Sequence, residues 1–174
     1  MSNPSKAKGT AAETAVVRWA REHGFPGADR QPLRGNRDQG DIGLCPGVIV
    51  EVKTSKRTAA TGLPPATVLQ EWLDQTELER ANAGAKIGLL VVKRHGTTDP
   101  GHWHCWIGLG AIFDIHGAHQ IDTEPDDWPV MLDLADTIDM LRNCGYGDSP
   151  VDPPAPVSPI GADVPADHCG QEAS

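Results

Sequence analysis

Asp41, Glu51 and Lys53 are ionisable residues set in otherwise apolar sequence, and their spacing suits metal-assisted hydrolysis. The segment reads Asp41-Ile42-Gly43-Leu44-Cys45-Pro46-Gly47-Val48-Ile49-Val50-Glu51-Val52-Lys53-Thr54. An acidic residue opens a short strand, a Pro-Gly turn follows, and a second apolar strand carries Glu-x-Lys. Side chains alternate with period two along a strand, so Glu51 and Lys53 share one face while Val50 and Val52 take the other. Burying such groups without partners is costly, and a metal-dependent phosphodiesterase centre is the best reason to do so. Magnesium prefers oxygen ligands and takes one or two carboxylates, with water and substrate phosphate completing its shell. Asp41 and Glu51 supply carboxylates from neighbouring strands, and the Val52 carbonyl supplies a further oxygen. Lys53 is no ligand; beside Glu51 it could orient a water, assist its deprotonation or stabilise a scissile phosphate. The bland reading is a surface hairpin with a Glu–Lys pair, for Glu-x-Lys alone is a weak signal. The upstream Asp41, the apolar strand around Glu51 and the preceding helix with Glu13 favour chemistry.

Other residues carry two readings each. Glu13 is either the capping-box partner of Thr10 or a further carboxylate of the site. Gln75, three residues after Trp72, is either a solvated residue on a helix flank or a polar group near the site. Arg30, Arg34, Arg37, Lys56 and Arg57 flank the Asp-Glu-Lys set and are candidates for phosphate contacts, although a charge run is usually a solvated face. Lys93 and Arg94 follow an apolar strand and read first as its solvated end. His102, His104 and Cys105, with His116 and His119, look superficially like zinc ligands. No Cys-x-x-Cys or His-Glu-x-x-His supports them, so structural zinc is the weaker reading. Trp103 is expected in the core and Trp106 at an interface. Gly-rich phosphate loops, a nucleophile elbow and nucleotide fingerprints are missing, which disfavours a kinase, an esterase or a dehydrogenase.

The pattern resembles the PD-(D/E)xK nuclease superfamily and, within it, archaeal-type Holliday junction resolvases and their phage relatives. The matching pieces are Lys8-Gly9-Thr10 followed by Glu13, the Arg34-Gly35-Asn36 loop, Gly40-Asp41, and Glu51-Val52-Lys53-Thr54. The likeness runs from Lys6 to Arg94. It implies a restriction-endonuclease-like core, with Glu13, Asp41 and Glu51 at a metal site and Lys53 serving hydrolysis. It also implies that Lys8 and the basic loop residues touch DNA. The implied activity is Mg²⁺-dependent cleavage of DNA, with Mn²⁺ as a substitute, acting on branched DNA as a homodimer in a bacterial or phage-infected cytoplasm. Gly40 departs from the Pro of the superfamily name. The low total charge departs from the more basic resolvases, which bears on junction specificity more than on nuclease chemistry.

The elements that must position these residues can be read from periodicity. Ala11 to His23 is predicted helical, with Ala12, Val16, Trp19 and Ala20 as its apolar stripe, Thr10 as N-cap and Gly24 as terminator. Pro26 to Gln39 is turn-rich and basic, and Lys56 to Pro65 is a loop. Ala66 to Ala83 is a second helix closed by Gly84, with Val68, Leu69, Trp72, Leu73, Thr76 and Leu78 inward. Ile87 to Val92 suits a buried strand. Asp99-Pro100-Gly101 is a turn. His102 to Leu109 alternates as another strand, with His102, His104 and Trp106 on one side. Trp128 to Asn143 is expected as an acidic amphipathic helix, with Val130, Met131, Leu134, Ile138 and Leu141 inward. This order predicts an α/β fold, a mixed sheet flanked by helices.

Length and composition bound the rest. The 174 residues fit one domain, 1–147, and a tail, 148–174. Ser149 to Pro165 holds six prolines, and the tail is expected to be acidic and disordered. The lack of a long apolar run argues against a membrane span. Four scattered cysteines suggest reduced thiols in a cytosol. The net charge of −9 is unevenly spread: residues 1–57 carry ten Lys or Arg against six Asp or Glu, so the candidate site lies in a locally basic segment. Two function classes remain. One is a metal-dependent endonuclease; the other is a catalytically silent acidic interaction or DNA-mimic protein on the same scaffold.

Overall fold

A computed structural model describes residues 4–32, 39–54, 63–117 and 128–148. In chain order these form α1 (Pro4–Glu22), β1 (Asp29–Arg30), β2 (Ile42–Cys45), β3 (Val48–Lys53), α2 (Ala66–Ala83) and β4 (Ile87–Val92). A 3-10 turn at Pro100–His102 then leads to β5 (His104–Gly108), α3 (Leu109–Ile115), β6 (Pro129–Asp133) and α4 (Leu134–Asn143). The strands make one six-stranded sheet in sequential order. All neighbours are antiparallel except β3 and β4, which run parallel with α2 as their crossover. The protein is therefore α/β with a mixed sheet flanked by helices. No helix among the described residues is long and apolar enough to cross a membrane.

Period-two alternation divides the sheet into two faces. Ile42, Leu44, Val48, Val50, Val52, Ile87, Leu89, Val91, Cys105 and Ile107 belong to the main core, which also takes Ala12, Val16, Val17 and Ala20 of α1 and Leu134, Ile138 and Leu141 of α4. On the other face Leu90, Val92 and Trp106 form a smaller cluster against Leu63, Leu69, Trp72 and Leu73. Glu51 pairs in register with Leu90, and Lys53 with Val92, so both charged residues lie on the α2 face. Strand β3 is covered on both sides. This explains why it reads as a nearly continuous apolar run, with its charged positions as the exceptions.

Several expectations are corrected. Helix α1 begins at Pro4, so Thr10 is interior, and its carbonyl accepts the Thr14 hydroxyl at 2.8 Å. A capping box at Thr10 and Glu13 is thereby ruled out. His102 lies in the 3-10 turn, outside the strand that holds His104 and Trp106. Trp106 is buried under α2, so it offers no outer patch. Leu78 is 63% exposed and Met131 is also exposed; Thr76 and Glu79 are the fully buried residues of α2. The segment from Trp128 to Asn143 divides into a strand and a helix, because β5 offers an edge on which Val130 and Leu132 pair with Ile107 and Cys105. Asp148 donates its N–H to the Gly24 carbonyl at 2.7 Å, and residues 149–174 of the expected tail lie outside the described residues.

Candidate active site

The β2–β3 hairpin builds one side of the site. Ile42 pairs with Val50, so continuing that register sets Asp41 across from Glu51. Gly40 enters the hairpin at φ +85°, a conformation closed to proline, whose ring fixes φ near −65°. The glycine at this position is thus a backbone requirement. Beyond the end of β2, the Val52 N–H donates to Asp41 Oδ2 at 2.8 Å. In an antiparallel strand a residue's N–H and C=O point to the same side, so the Val52 carbonyl also faces the Asp41 side. The Lys53 carbonyl faces the opposite way and accepts from the Lys93 N–H at 3.0 Å.

Helix α2 supplies the other side. Its close approach depends on Gly88 of β4, where an added Cβ would lie 3.2 Å from Arg80 Cβ and 3.3 Å from Thr76 Cγ2. Over β3 the helix presents Gln75 and Glu79, one turn apart. Lys53 Nζ donates to Glu51 Oε1 at 2.5 Å and to Gln75 Oε1 at 2.8 Å. Gln75 Nε2 in turn donates to Glu79 Oε1 at 2.7 Å. The Glu79 carboxyl lies close enough to Glu51 to push its pKa up, so the four side chains form one cluster. Glu79 is 2% exposed, and among the described residues no donor reaches its Oε2.

Electrostatics mark Asp41 and Glu51 as a crowded acidic pair. Burial raises Asp41 from 3.8 to about 7, Glu51 and Glu13 push in the same direction, and the Val52 N–H partly opposes them. Burial also raises Glu51 from 4.5 to about 7 against the pull of Lys53, with Glu79 adding to the rise. The half-buried Asp41 carboxyl, the buried Glu51 carboxyl and a backbone carbonyl facing one side form a hard-oxygen donor set, and a divalent cation would offset the repulsion of the two carboxylates. The residues present therefore fit Mg²⁺. Among the described residues no group of three or more His, Cys, Asp and Glu stands ready around one point. The fit rests on the Asp41 and Glu51 pair, with the remaining ligands left to water and phosphate.

The other candidates separate. Glu13 is mostly buried beside Asp41 and is held by Arg30, whose Nε donates to Glu13 Oε2 at 2.8 Å. Arg30 is thus engaged at the site's edge. Lys8 is exposed on α1. Arg34, Arg37, Lys56 and Arg57 lie outside the described residues. Lys93 stacks its ammonium over Trp103, 5.2 Å from the ring centroid. Trp103 itself is core. His104 makes an edge contact with Trp106, Cys105 points into the opposite face, and His116 lies against Cys144, so these residues do not converge. His119 is outside the described residues. Glu79 is the residue that sequence reasoning missed. The available signal was its place four after Gln75 and three after Thr76, on the face that α2 turns to the sheet.

Comparison with protein-family models, with curated proteins and with solved structures gives no match.

Proposed function

We propose that the chain is a metal-dependent DNA endonuclease with a restriction-endonuclease-like core, acting on branched DNA. The observation that carries this reading is the convergence of Asp41, Glu51 and Lys53 at one hairpin. There the two carboxylates repel each other, and the lysine is aimed by Glu51 and Gln75. Bound Mg²⁺ or Mn²⁺ would supply Lewis-acid stabilisation of phosphate charge and a more acidic water. Asp41 and Glu51 would hold that cation, with the Val52 carbonyl as a further oxygen. Lys53 keeps two of its three N–H donors on Glu51 and Gln75, leaving one for a scissile phosphate or an attacking water. Arg30 fixes Glu13 beside Asp41, and Lys8 lies exposed on the same helix as Glu13 for contact with the DNA backbone.

The test is cleavage of a labelled four-way junction beside linear duplex, flap and single strand. Cleavage is expected with Mg²⁺ or Mn²⁺, little with Ca²⁺ and none in chelator. Asp41→Asn and Glu51→Gln should abolish cleavage while DNA binding persists. Full activity in either variant would sink the site assignment. A wild-type chain that cuts none of the four substrates would favour the silent interaction protein instead.

A further inference from the structure

We infer that Glu79 is a positioning residue: it fixes the Gln75 amide so that Gln75 and Glu51 together hold the Lys53 ammonium in one place. The inference rests on the endonuclease reading only for its consequence in rate; the geometry stands by itself. An amide side chain has two faces, oxygen and NH₂, and can rotate to exchange them. Beside Lys53 only the oxygen is useful, because an NH₂ group would face an ammonium with no acceptor between them. Glu79 removes the ambiguity. Gln75 turns Nε2 toward Glu79 Oε1, at 2.7 Å, and Oε1 toward the Lys53 ammonium, which can only donate, at 2.8 Å.

The burial of Glu79 argues for a role beyond helix stability. A Gln-to-acid pair four residues apart on an exposed helix face contributes only a few tenths of a kcal/mol. Here the acid is 2% exposed, and among the described residues its hydrogen-bond donor is Gln75 Nε2, with the Glu51 carboxyl as its other polar neighbour. An apolar side chain of the same size would fill that space without the cost of a buried carboxylate. The carboxylate contributes orientation: it acts on Lys53 through Gln75, one helical turn away along α2.

Two variants and two readouts test this. Glu79→Met keeps the volume and loses the acceptor; Glu79→Gln keeps an acceptor oxygen. The first readout needs no catalysis. In protein with ¹⁵N-labelled lysine, the Lys53 ammonium signal, identified by its loss in Lys53→Ala, is expected to be sharp and distinct from those of exposed lysines. It should merge with them in Glu79→Met and stay distinct in Glu79→Gln, while both variants keep the wild-type thermal midpoint or exceed it. The second readout is single-turnover cleavage at saturating metal. Glu79→Met should lose about tenfold, Gln75→Ala the same, and the double variant no more than either, with metal affinity unchanged. An unchanged Lys53 signal in Glu79→Met would overturn the inference, as would equal loss in both Glu79 variants. If the signals behave as described but the wild type cuts no DNA, the positioning role stands and the endonuclease reading fails.

Discussion

Lys53 is the residue on which chemistry and structure divide most clearly. Its substitution by alanine should slow single-turnover cleavage by about 10²–10⁴-fold, the range of a positioned acid–base group. Metal affinity should hardly change, since Lys53 is no ligand; calorimetry showing metal binding lost and the rate kept would reverse its assigned role. Asp41 and Glu51 carry a separate signature in the metal-free protein. Their ordinary values of 3.8 and 4.5 are both raised to about 7, so between those limits the folded state holds more protons than the unfolded chain. Stability is then greatest below the unfolded values and falls as pH rises through about 7. In chelator, the thermal midpoint should drop from about pH 5 to about pH 8. Asp41→Asn should flatten that drop, and added Mg²⁺ should restore the midpoint at the upper end. A flat wild-type profile would mean that the two carboxylates are not crowded. The geometry of this trio was legible because strand alternation and a short hairpin allow few arrangements. Glu79 was not, because an acid among Asp74, Glu77 and Arg80 on a helix looks like part of a solvated face until the helix is placed on the sheet.

At the level of elements, α2 shows both the reach and the limit of periodicity. Its bounds, Ala66 to Ala83 with Gly84 in the left-handed conformation, match the sequence expectation. Its orientation matches in part: Thr76 faces in with Leu69, Trp72 and Leu73, but Leu78 faces out and Glu79 faces in. The helix turns this way because Leu69, Trp72 and Leu73 dock on Leu90, Val92 and Trp106, and that docking sets the rotation of the turns that follow. Trp128 to Asn143 failed differently. Val130, Met131 and Leu134 fit a helical period and a short strand alike, and the open edge of β5 decides for the strand. The placement of α2 has a direct test at Gly88. In Gly88→Ala the added methyl meets Arg80 Cβ at 3.2 Å and Thr76 Cγ2 at 3.3 Å, so these α2 neighbours must give by a few tenths of an ångström. Overpacking of this kind typically costs about 1–3 kcal/mol. Urea unfolding should show that loss, and the cleavage rate of the folded fraction should fall as well, because Gln75 moves with the helix. A variant with lower stability but an unaltered rate would separate α2 from the site.

For the whole molecule, paired cuts across a four-way junction need two sites related by the twofold symmetry of the DNA. The proposed function therefore expects two chains per junction by sedimentation; one chain per junction, with a single nick as product, would restrict the activity to nicking. Trp106 cannot supply the contact between copies, since it is buried within one chain; among the described residues the large exposed apolar side chains near the β6 edge are Trp128 and Met131. The integrity of the fold itself can be read from its thiols. Cys105 on β5 is fully enclosed between the sheet and α4, beside Thr137, and burial pushes its pKa up to about 12. A thiol attacks reagents as the thiolate, so Cys105 is protected both by access and by protonation. Exposing it requires α4 to leave the sheet, and α4 shares one continuous core with α1 and four strands. Local fraying should not suffice. Cys144, half-buried at the end of α4, should react with an alkylating reagent in the native protein. Labelling followed by peptide mass spectrometry should show Cys105 modified only at the rate of global unfolding. If Cys105 were modified as fast as Cys144 in native buffer, the helices would not close the main core over the sheet.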